Sequence, residues 1–204
     1  MRDFFEVLRA TTSEMASIAV VAIFVQNILF TRAMGTSAVL FITRKRYNRL
    51  LFGLILTGIT TLSSILVYFA DGWLAGTGAD AYSWRPLVYV FMVGIVYILF
   101  LFGCGLLPIH LRMQIIPMIH LSAFNGAVFG ALLLSHSYDL WGHIAYGLGT
   151  GLGFLLASYL IALGYERLSS DRIPPAFRGF PVTLIYIGIL SLAFYGLIGH
   201  ELSI

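Results

Sequence analysis

Residues 115–134 read IIPMIHLSAFNGAVFGALLL, a run of twenty residues without Asp, Glu, Lys or Arg. A helix of this length rises about 30 Å, which is enough to cross the hydrocarbon core of a bilayer. Asn125 and Gly126 lie near its middle. Because an unpaired amide costs several kcal/mol in hydrocarbon, we expect Asn125 to face protein or a cavity. The adjacent glycine loosens the helix, so the stretch predicts a broken membrane-spanning helix that carries the site.

The composition is that of an integral membrane protein. Of the 204 residues, 59% are hydrophobic and only 10% are charged. The net charge of +3 does not indicate a nucleic-acid partner, because the basic residues cluster between apolar segments, where membrane topology explains them. The single cysteine, Cys104, excludes an intramolecular disulfide and a multi-thiolate metal site. The acidic residues near the N-terminus do not fit a cleavable signal peptide.

Six apolar segments are long enough to cross the membrane as helices. The first is interrupted, since Arg32 separates the uncharged residues 15–31 from the uncharged residues 33–43. The other five segments are residues 50–70, 86–111 with its end near Pro108, 115–134, 140–165 and 179–199. The predicted fold is therefore all-α, with six transmembrane helices of which the first and fourth are broken.

Lysine and arginine are divided unequally between the two faces that six spans define. Three of the twelve, Arg2, Arg9 and Arg85, lie on the face that holds both termini. The other nine lie in or near the loops after the first, third and fifth spans. The positive-inside rule then places both termini outside a bacterial-type inner membrane. All nine acidic residues, Asp71 among them, fall in predicted loops or termini, so ion translocation by this chain alone is not expected.

The chain is predicted to be one domain, residues 1–204, built from two half-repeats at residues 15–111 and 115–199. Each half begins with a polar break flanked by small residues, near residues 26–37 and 122–130. Three spans per half require the two halves to have opposite orientations. Their broken helices would then meet near the membrane midplane, as in inverted-repeat transporters.

Several runs resemble the membrane subunits RnfA, RnfE, NqrD and NqrE. They are FVQNILFTRAMG, FNGAVFGALLL, YGLGTGLGF followed by YERL, and PPAFRGFPVTLIYIGILSLAFYGLIG, in the same order and at similar spacing. The predicted external termini match the RnfA/NqrE branch. The resemblance implies a six-helix subunit that packs against a homologous sister subunit of opposite orientation, in an ion-pumping oxidoreductase. It also implies an iron–sulfur cluster held between the two subunits.

This sequence departs from the family at the residues that ligate the cluster. The family's two cysteine positions fall on Ser37, in MGTSA, and on Gly126, in FNGAV. Asn125 precedes the second of these cofactor-binding positions. Serine is a rarely used iron ligand and glycine has no side chain, so the standard site cannot be assembled from this chain. Leu101 stands near the place of the family's third-span glutamate. The cofactor therefore remains unknown.

Four glycines in YGLGTGLGF are read as helix-packing residues. Gly147 with Gly151, and Gly149 with Gly153, are small-xxx-small pairs that permit close approach of a neighbouring helix. No strand precedes the motif, so it is not a nucleotide-binding loop. Of the five histidines only His120 lies well inside a predicted span, and no metal site or catalytic set is expected.

The leading functional hypothesis is a membrane subunit of an Rnf/Nqr-like ion-translocating electron-transport complex. It would act as a helical scaffold for transmembrane electron transfer, and at most as a non-catalytic subunit of the oxidoreductase. Its expected partners are the sister subunit, other subunits of such a complex and membrane lipid. The alternative hypothesis is a redox-inactive family member that serves as a small-molecule transporter or its membrane component. Broken helices that meet at the midplane, with Asn27 and Asn125, would suit a transported substrate.

Overall fold

A computed structural model of the chain describes residues 2–45, 48–77, 81–168 and 173–198. Within these ranges the chain forms nine α-helices and no strand, which confirms the all-α prediction. The helices are α1 Arg2–Val20, α2 Ile28–Arg32, α3 Thr36–Lys45, α4 Arg49–Gly76, α5 Ala81–Cys104, α6 Ile109–Ala123, α7 Gly126–Ser135, α8 Leu140–Arg167 and α9 Phe180–Ile198. A π-helical turn, Val21–Val25, continues α1, and a 3-10 turn, Pro175–Phe177, precedes α9.

Several helices have the length and composition of membrane spans. Among the described residues, α4, α5 and α8 each qualify alone, and α6 with α7 qualifies as one span bent by 48°. The segment Phe180–Gly196 of α9 is a shorter apolar helix. Large apolar side chains such as Phe102, Leu106 and Phe124 are more than three-quarters exposed. An exposed apolar surface of this size is unfavourable in water and is typical of a surface that contacts lipid or another protein. The chain is therefore an integral membrane protein.

The central contact of the fold joins α4 to α8. A methyl group added to Gly147 would lie 2.9 Å from the Cα of Thr61, and one added to Gly151 would lie 2.5 Å from the Cα of Thr57. Both distances are shorter than carbon–carbon van der Waals contact, so no side chain larger than hydrogen fits at either position. The two helices thus pack backbone to backbone, as small residues allow in membranes.

The same seam extends in both directions and fixes the relative orientation of the two helices. Toward one end, the Leu155 side chain occupies the space over Gly53. Toward the other, the Ser64 hydroxyl donates to the backbone oxygen of His143, at 3.0 Å. Residue numbers fall along α4 as they rise along α8, so the two helices are antiparallel.

The other two glycines of the motif face the first helix instead. A methyl group on Gly149 would lie 2.6 Å from the backbone oxygen of Ala19, and one on Gly153 would lie 3.1 Å from the Cα of Ile23. Here the residue numbers rise together, so α1 and its π-helical turn run parallel to α8. The four glycines of α8 therefore contact two neighbouring segments in alternation. One segment is α4 and the other is α1 with its π-helical turn, and both belong to the same chain as α8.

The C-terminal helix closes the bundle over α2 and α8. The ring of Phe194 packs against Phe30, with 4.4 Å between the ring centroids. The Tyr186 ring lies over Gly164, and its hydroxyl donates to the Leu160 backbone oxygen at 3.2 Å. α9 is therefore attached by aromatic side chains that fill space left by small residues, the usual complement in a membrane-protein core.

Three of the predicted spans have boundaries that differ from those of the helices. The second helix continues past residue 70 to Gly76, because Asp71 forms an ion pair with Arg85 and does not need to leave the helix. The third helix is Ala81–Cys104 rather than residues 86–111, with Pro86 inside it. The fourth begins at Ile109 rather than residue 115, since Pro108 lacks an N–H and serves as the N-cap. Apolar composition continues through these turns, so hydropathy does not mark them.

Replacing Gly151 by alanine is expected to destabilise the protein, because the new methyl group overlaps the backbone of Thr57. Overpacking of this kind costs about 1–3 kcal/mol. The midpoint of thermal unfolding in detergent, followed by tryptophan fluorescence, should fall clearly below that of the wild type. Gly188→Ala in α9 is the matched control, since nothing lies within 4 Å of its added methyl group. Equal midpoints for both variants would contradict a close α4–α8 contact.

Candidate functional site

The first helix break is organised by Asn27. Its side-chain oxygen accepts hydrogen bonds from the backbone nitrogens of Leu29, at 3.2 Å, and Phe30, at 3.3 Å, and so caps α2. Its amide nitrogen donates to the backbone oxygens of Ile23, at 2.8 Å, and Gly153, at 2.9 Å. The side chain is completely buried. Every polar atom of this amide is therefore satisfied, as a buried amide in the membrane requires.

The chain turns sharply between α2 and α3. Ala33 ends α2 in the left-handed conformation, with φ of 56°, and the Met34 nitrogen donates to the Ile28 oxygen at 3.2 Å. Gly35 follows with φ of 84°, a value that side-chain-bearing residues rarely adopt. The break therefore spans the whole stretch from Gln26 to Gly35. This is why no single helix covers the first apolar segment.

The second break lies at Phe124 and Asn125, where the sequence predicts it. The Asn125 side-chain oxygen accepts from the Ala127 nitrogen at 3.0 Å and caps α7. Asn125 is only 5% exposed, yet its amide nitrogen has no hydrogen-bond partner within the described residues. Phe124 is 78% exposed. In contrast with Asn27, this break leaves one buried donor unsatisfied and one aromatic side chain uncovered.

The two breaks meet inside the bundle. A methyl group added to Gly35 would lie 2.8 Å from the side-chain oxygen of Asn125 and 2.6 Å from the ring of Phe154. The nearest atom to a methyl group added to Gly126 would be the Gly35 nitrogen, at 3.9 Å. Gly35, Asn125 and Gly126 are thus neighbours, although ninety residues of sequence separate the first from the second. Ser37 is exposed and lies two residues beyond Gly35, in α3.

These residues do not fit the ligation of an iron–sulfur cluster. Ser37 offers one hydroxyl, Gly126 offers no side chain, and the described part of the chain contains no group of three His, Cys, Asp or Glu side chains that could hold a metal. The buried Cys104 is the last residue of α5, at the turn into α6, whereas the breaks lie between other helices of the chain. The chain alone therefore lacks the donors for the cluster that the family resemblance implies.

A cavity of about 370 Å³ opens beside the second break. Its lining includes Tyr97, Phe124, Asn125 and Gly126, and is mostly apolar. The Tyr97 hydroxyl lies 2.8 Å from Nδ1 of His120 at this side of the bundle. His120 lies inside α6, within the predicted fourth span, and its side chain is exposed.

A polar cluster that the sequence does not predict lies at the far end of the α4–α8 seam. Asp71 lies inside α4, not in the predicted loop, and its side chain is 15% exposed. His143, rather than His120, is the buried histidine of the bundle, at 1% exposure. A signal for this cluster is present in the sequence. Polar residues follow one stripe of α4 at spacings of four and three, namely Thr57, Thr61, Ser64, Tyr68 and Asp71.

Comparison with known proteins shows the family of this chain. The family model for the Rnf-Nqr subunit, described as a membrane protein, matches residues 15–200. This chain belongs to the Rnf-Nqr membrane subunit family. One relative, a component of the ion-translocating oxidoreductase complex of Shewanella loihica, is 27% identical to this Rnf-Nqr subunit over 192 residues, which cover 92% of this chain and 98% of the relative.

Two further relatives of this Rnf-Nqr subunit are components of two different complexes. A component of the Na⁺-translocating ferredoxin:NAD⁺ oxidoreductase complex of Acetobacterium woodii is 27% identical, over 91% of this chain and 97% of its own length. A component of the Na⁺-translocating NADH-quinone reductase of Pseudoalteromonas translucida is also 27% identical, over 91% of this chain and 98% of its own length. The similarity to this Rnf-Nqr subunit thus covers almost the whole of each relative.

Asn27→Ala is expected to destabilise this Rnf-Nqr subunit more than Asn48→Ala does. Both residues cap a helix, but the Asn48 cap of α4 is exposed and its oxygen accepts one bond, from Leu51 at 3.1 Å. Loss of an exposed cap costs about 1 kcal/mol. Asn27→Ala also leaves buried backbone groups without partners, which adds about 1–3 kcal/mol. Thermal unfolding of both purified variants in detergent checks this order, and a reversed order would contradict the central role of Asn27.

Proposed function

We propose that the protein is a membrane subunit of an Rnf/Nqr-type ion-translocating electron-transport complex, of the RnfA/NqrE kind. The supporting observation is the family match over residues 15–200, together with relatives that are named as components of such complexes and are covered almost completely. Its role would be that of a non-catalytic helical scaffold at the point where electrons cross the membrane.

The proposed architecture has six spans in two inverted halves. The first span would consist of α1, its π-helical turn, α2 and α3, and the fourth of α6 and α7. Each half, residues 15–111 and 115–199, would then start with a break capped by an asparagine, Asn27 or Asn125. α4 and α8 are each the second span of their half, and their antiparallel packing is what an inverted repeat requires.

A homologous sister subunit of opposite orientation is the proposed partner at the second break. Irregular backbone at membrane depth is stable only where protein or an internal cavity surrounds it. Phe124 is 78% exposed at this break, and Gly126 is exposed beside it. A packed protein surface would cover both and could supply an acceptor for the buried Asn125 amide.

Any redox group at this crossing point would have to be held by other subunits. Neither Ser37 nor Gly126 provides a thiolate, and Cys104 lies elsewhere in the fold. We therefore assign no electron-transfer step to a side chain of this protein. This protein would contribute a complementary surface, and the partner subunit would supply the side chains that hold the redox group.

The cavity beside Asn125 and Gly126 favours one second candidate, a redox-inactive family member that transports a small molecule. Its volume of about 370 Å³ falls within the range of small-ligand sites. Such a protein would be isolated alone or with transport components, such as an ATPase or a binding protein. The two proposals therefore predict different partners.

Anaerobic purification of the tagged full-length protein in mild detergent should recover a homologous six-helix sister together with flavin-binding or ferredoxin-like subunits. Mass spectrometry of the eluate identifies them. Phe124→Ala should reduce recovery of the sister several-fold, because it removes an exposed aromatic side chain from the proposed interface.

Phe102→Ala is the matched control, since this phenylalanine is 76% exposed on α5 and lies outside the break. It should leave recovery unchanged. Elution of the protein without any sister or redox subunit would overturn the electron-transport proposal, and elution with an ATPase would support the transporter.

We propose that both termini lie outside an inner, cytoplasmic-type membrane. Exposed Trp73, Trp84 and Trp141 all lie at the end of the bundle where α4 finishes and α5 and α8 begin, as expected for residues at an interface. At the opposite end, Arg49 pairs with Glu166 at 3.6 Å, close to the basic loops. Lysine and arginine mark the cytoplasmic side.

Cysteine labelling in intact spheroplasts tests this orientation. In a Cys104→Ala background, Asp3→Cys should react with a membrane-impermeant maleimide, and Tyr47→Cys should react only after lysis. The first position lies on the predicted external face and the second in the basic loop after the first span. The reverse pattern of reactivity would show the opposite topology.

A further inference from the structure

The outward side of α6 carries polar side chains, although α6 lies in a membrane span. From residue 114 onward the exposed residues of α6 are Gln114, Pro117 and His120, and the exposed Phe124 follows as its C-cap. Because these residues are three or four positions apart, they lie along one side of the helix. We call these four residues the α6 stripe.

The outward side of α9 has a different composition. Between residues 184 and 192 its exposed side chains are all apolar, namely Leu184, Ile185, Ile189 and Leu192. Such a surface suits hydrocarbon, which offers no hydrogen bonds, whereas an amide or an imidazole does not. The composition of the α6 stripe therefore indicates contact with protein rather than with lipid.

His120 is the deepest polar residue of the α6 stripe. It lies eleven residues after the start of α6 at Ile109, which is about 16 Å along the helix axis and close to half of the ~30 Å hydrocarbon core. Nδ1 of its ring is 2.8 Å from the Tyr97 hydroxyl, and no described residue forms a hydrogen bond with Nε2. Because an unpaired polar group at this depth is costly, we expect its second partner to come from another molecule.

A cavity continues the stripe toward the second break. Its volume is about 370 Å³, and its lining includes the small residues Gly94, Ala123 and Gly126. A methyl group added to Gly94 would meet nothing within 4 Å, and one added to Gly126 would meet nothing nearer than 3.9 Å. Small residues in membrane helices commonly permit the close approach of a neighbouring helix. No described side chain occupies the space over these two glycines, so that space is open to a helix from outside the chain.

Tyr97 joins the α6 stripe to the cavity. Its ring centroid is 5.6 Å from that of His120 and 5.3 Å from that of Phe124, and Tyr97 also lines the cavity. Asn125, another lining residue, is only 5% exposed, and its amide nitrogen has no partner among the described residues. The polar stripe, the cavity and the unsatisfied amide thus belong to one continuous surface on α5, α6 and α7.

A second concave surface of the bundle shows what suits a lipid chain. The groove between α4 and α5 has a volume of about 1030 Å³ and is lined mostly by large apolar side chains, such as Phe69, Trp73 and Phe91. Its described lining includes neither a glycine nor an unsatisfied buried polar atom. The surface beside the second break has both, which is the composition of a helix–helix interface in a membrane.

We propose that the surface formed by the α6 stripe and the cavity is a docking site for a membrane-spanning helix of another subunit. That helix would carry a hydrogen-bonding side chain near its middle, opposite His120, and an apolar side chain that enters the cavity. The inference rests on the proposed function in one respect, namely that the protein works beside another membrane subunit. It adds the surface and the chemistry of that contact.

Photo-crosslinking in cells that produce the tagged full-length protein tests the contact. p-Benzoylphenylalanine placed at Gln114 or Pro117 should crosslink to a second membrane polypeptide on irradiation. The same photoreactive residue at Ile189 or Leu192, on the apolar side of α9, should not. Mass spectrometry should locate the crosslink from Pro117 in an apolar span of that polypeptide, within one helical turn of a hydroxyl, amide, carboxylate or imidazole side chain.

Substitutions of His120 test the polar contact separately. His120→Leu should reduce recovery of the crosslinked polypeptide in mild detergent about three-fold or more, because one interhelical hydrogen bond is lost. His120→Gln should retain it. His136→Leu, at an exposed histidine outside the stripe, is the matched control and should leave recovery unchanged. The thermal unfolding midpoint of each isolated variant shows whether its fold is intact.

Several results would overturn the proposal. They are the absence of protein crosslinks from both stripe positions, crosslinks only to a second copy of this chain, crosslinks to a span without a polar side chain, and unchanged recovery for His120→Leu. If a sister and redox subunits copurify while the stripe forms no crosslink, the proposed complex stands and this docking surface fails. If the stripe crosslinks to the span of a membrane protein of another kind, the docking surface stands and the electron-transport proposal fails.

Discussion

The rest of the structure depends on the contact between α4 and α8, where glycines meet threonines backbone to backbone. Between two apolar helices in lipid, close packing and hydrogen bonding replace the hydrophobic effect as the source of association. The threonine hydroxyls do not weaken this seam, because each donates within its own helix, as Thr57 does to the Gly53 oxygen at 2.7 Å. With this pair in place, α1 can pack on the remaining glycines of α8, and Asn27 reaches the Gly153 oxygen that fixes the first break.

Much of this could be predicted from the sequence because it depends on local chemistry. The apolar segments predict the spans, the glycines of residues 146–154 predict close packing, and the amide in the fourth segment predicts the break at Asn125. Contacts between residues that are far apart in the sequence could not be predicted in this way. No local signal shows that Gly35 needs a positive φ, or that it lies against Asn125. That neighbourhood is created by tertiary packing, and it is where the family resemblance implies a cluster position.

The largest error of sequence reasoning concerns charge. Asp71 looks like a loop residue because an aspartate normally ends an apolar segment. Arg85 and Tyr89 are only one turn apart in α5, and together they satisfy both carboxylate oxygens, so α4 can continue past it. The burial of His143 could not be predicted for a similar reason, since its partners Ser64 and Ser135 lie on two other helices. Hydropathy averages over a segment and does not detect pairs that neutralise one another across helices.

The open space at Gly126 has a consequence for how the family's chemistry can vary. A side chain there would meet nothing nearer than 3.9 Å, whereas one at Gly35 would collide with Phe154 and Asn125. The fold therefore does not select glycine at position 126 on steric grounds. A small side chain such as that of cysteine can therefore occupy position 126 without repacking the described core. The helical scaffold thus tolerates a change of chemistry at Gly126, whereas at Gly35 any such change would first have to displace Phe154 and Asn125.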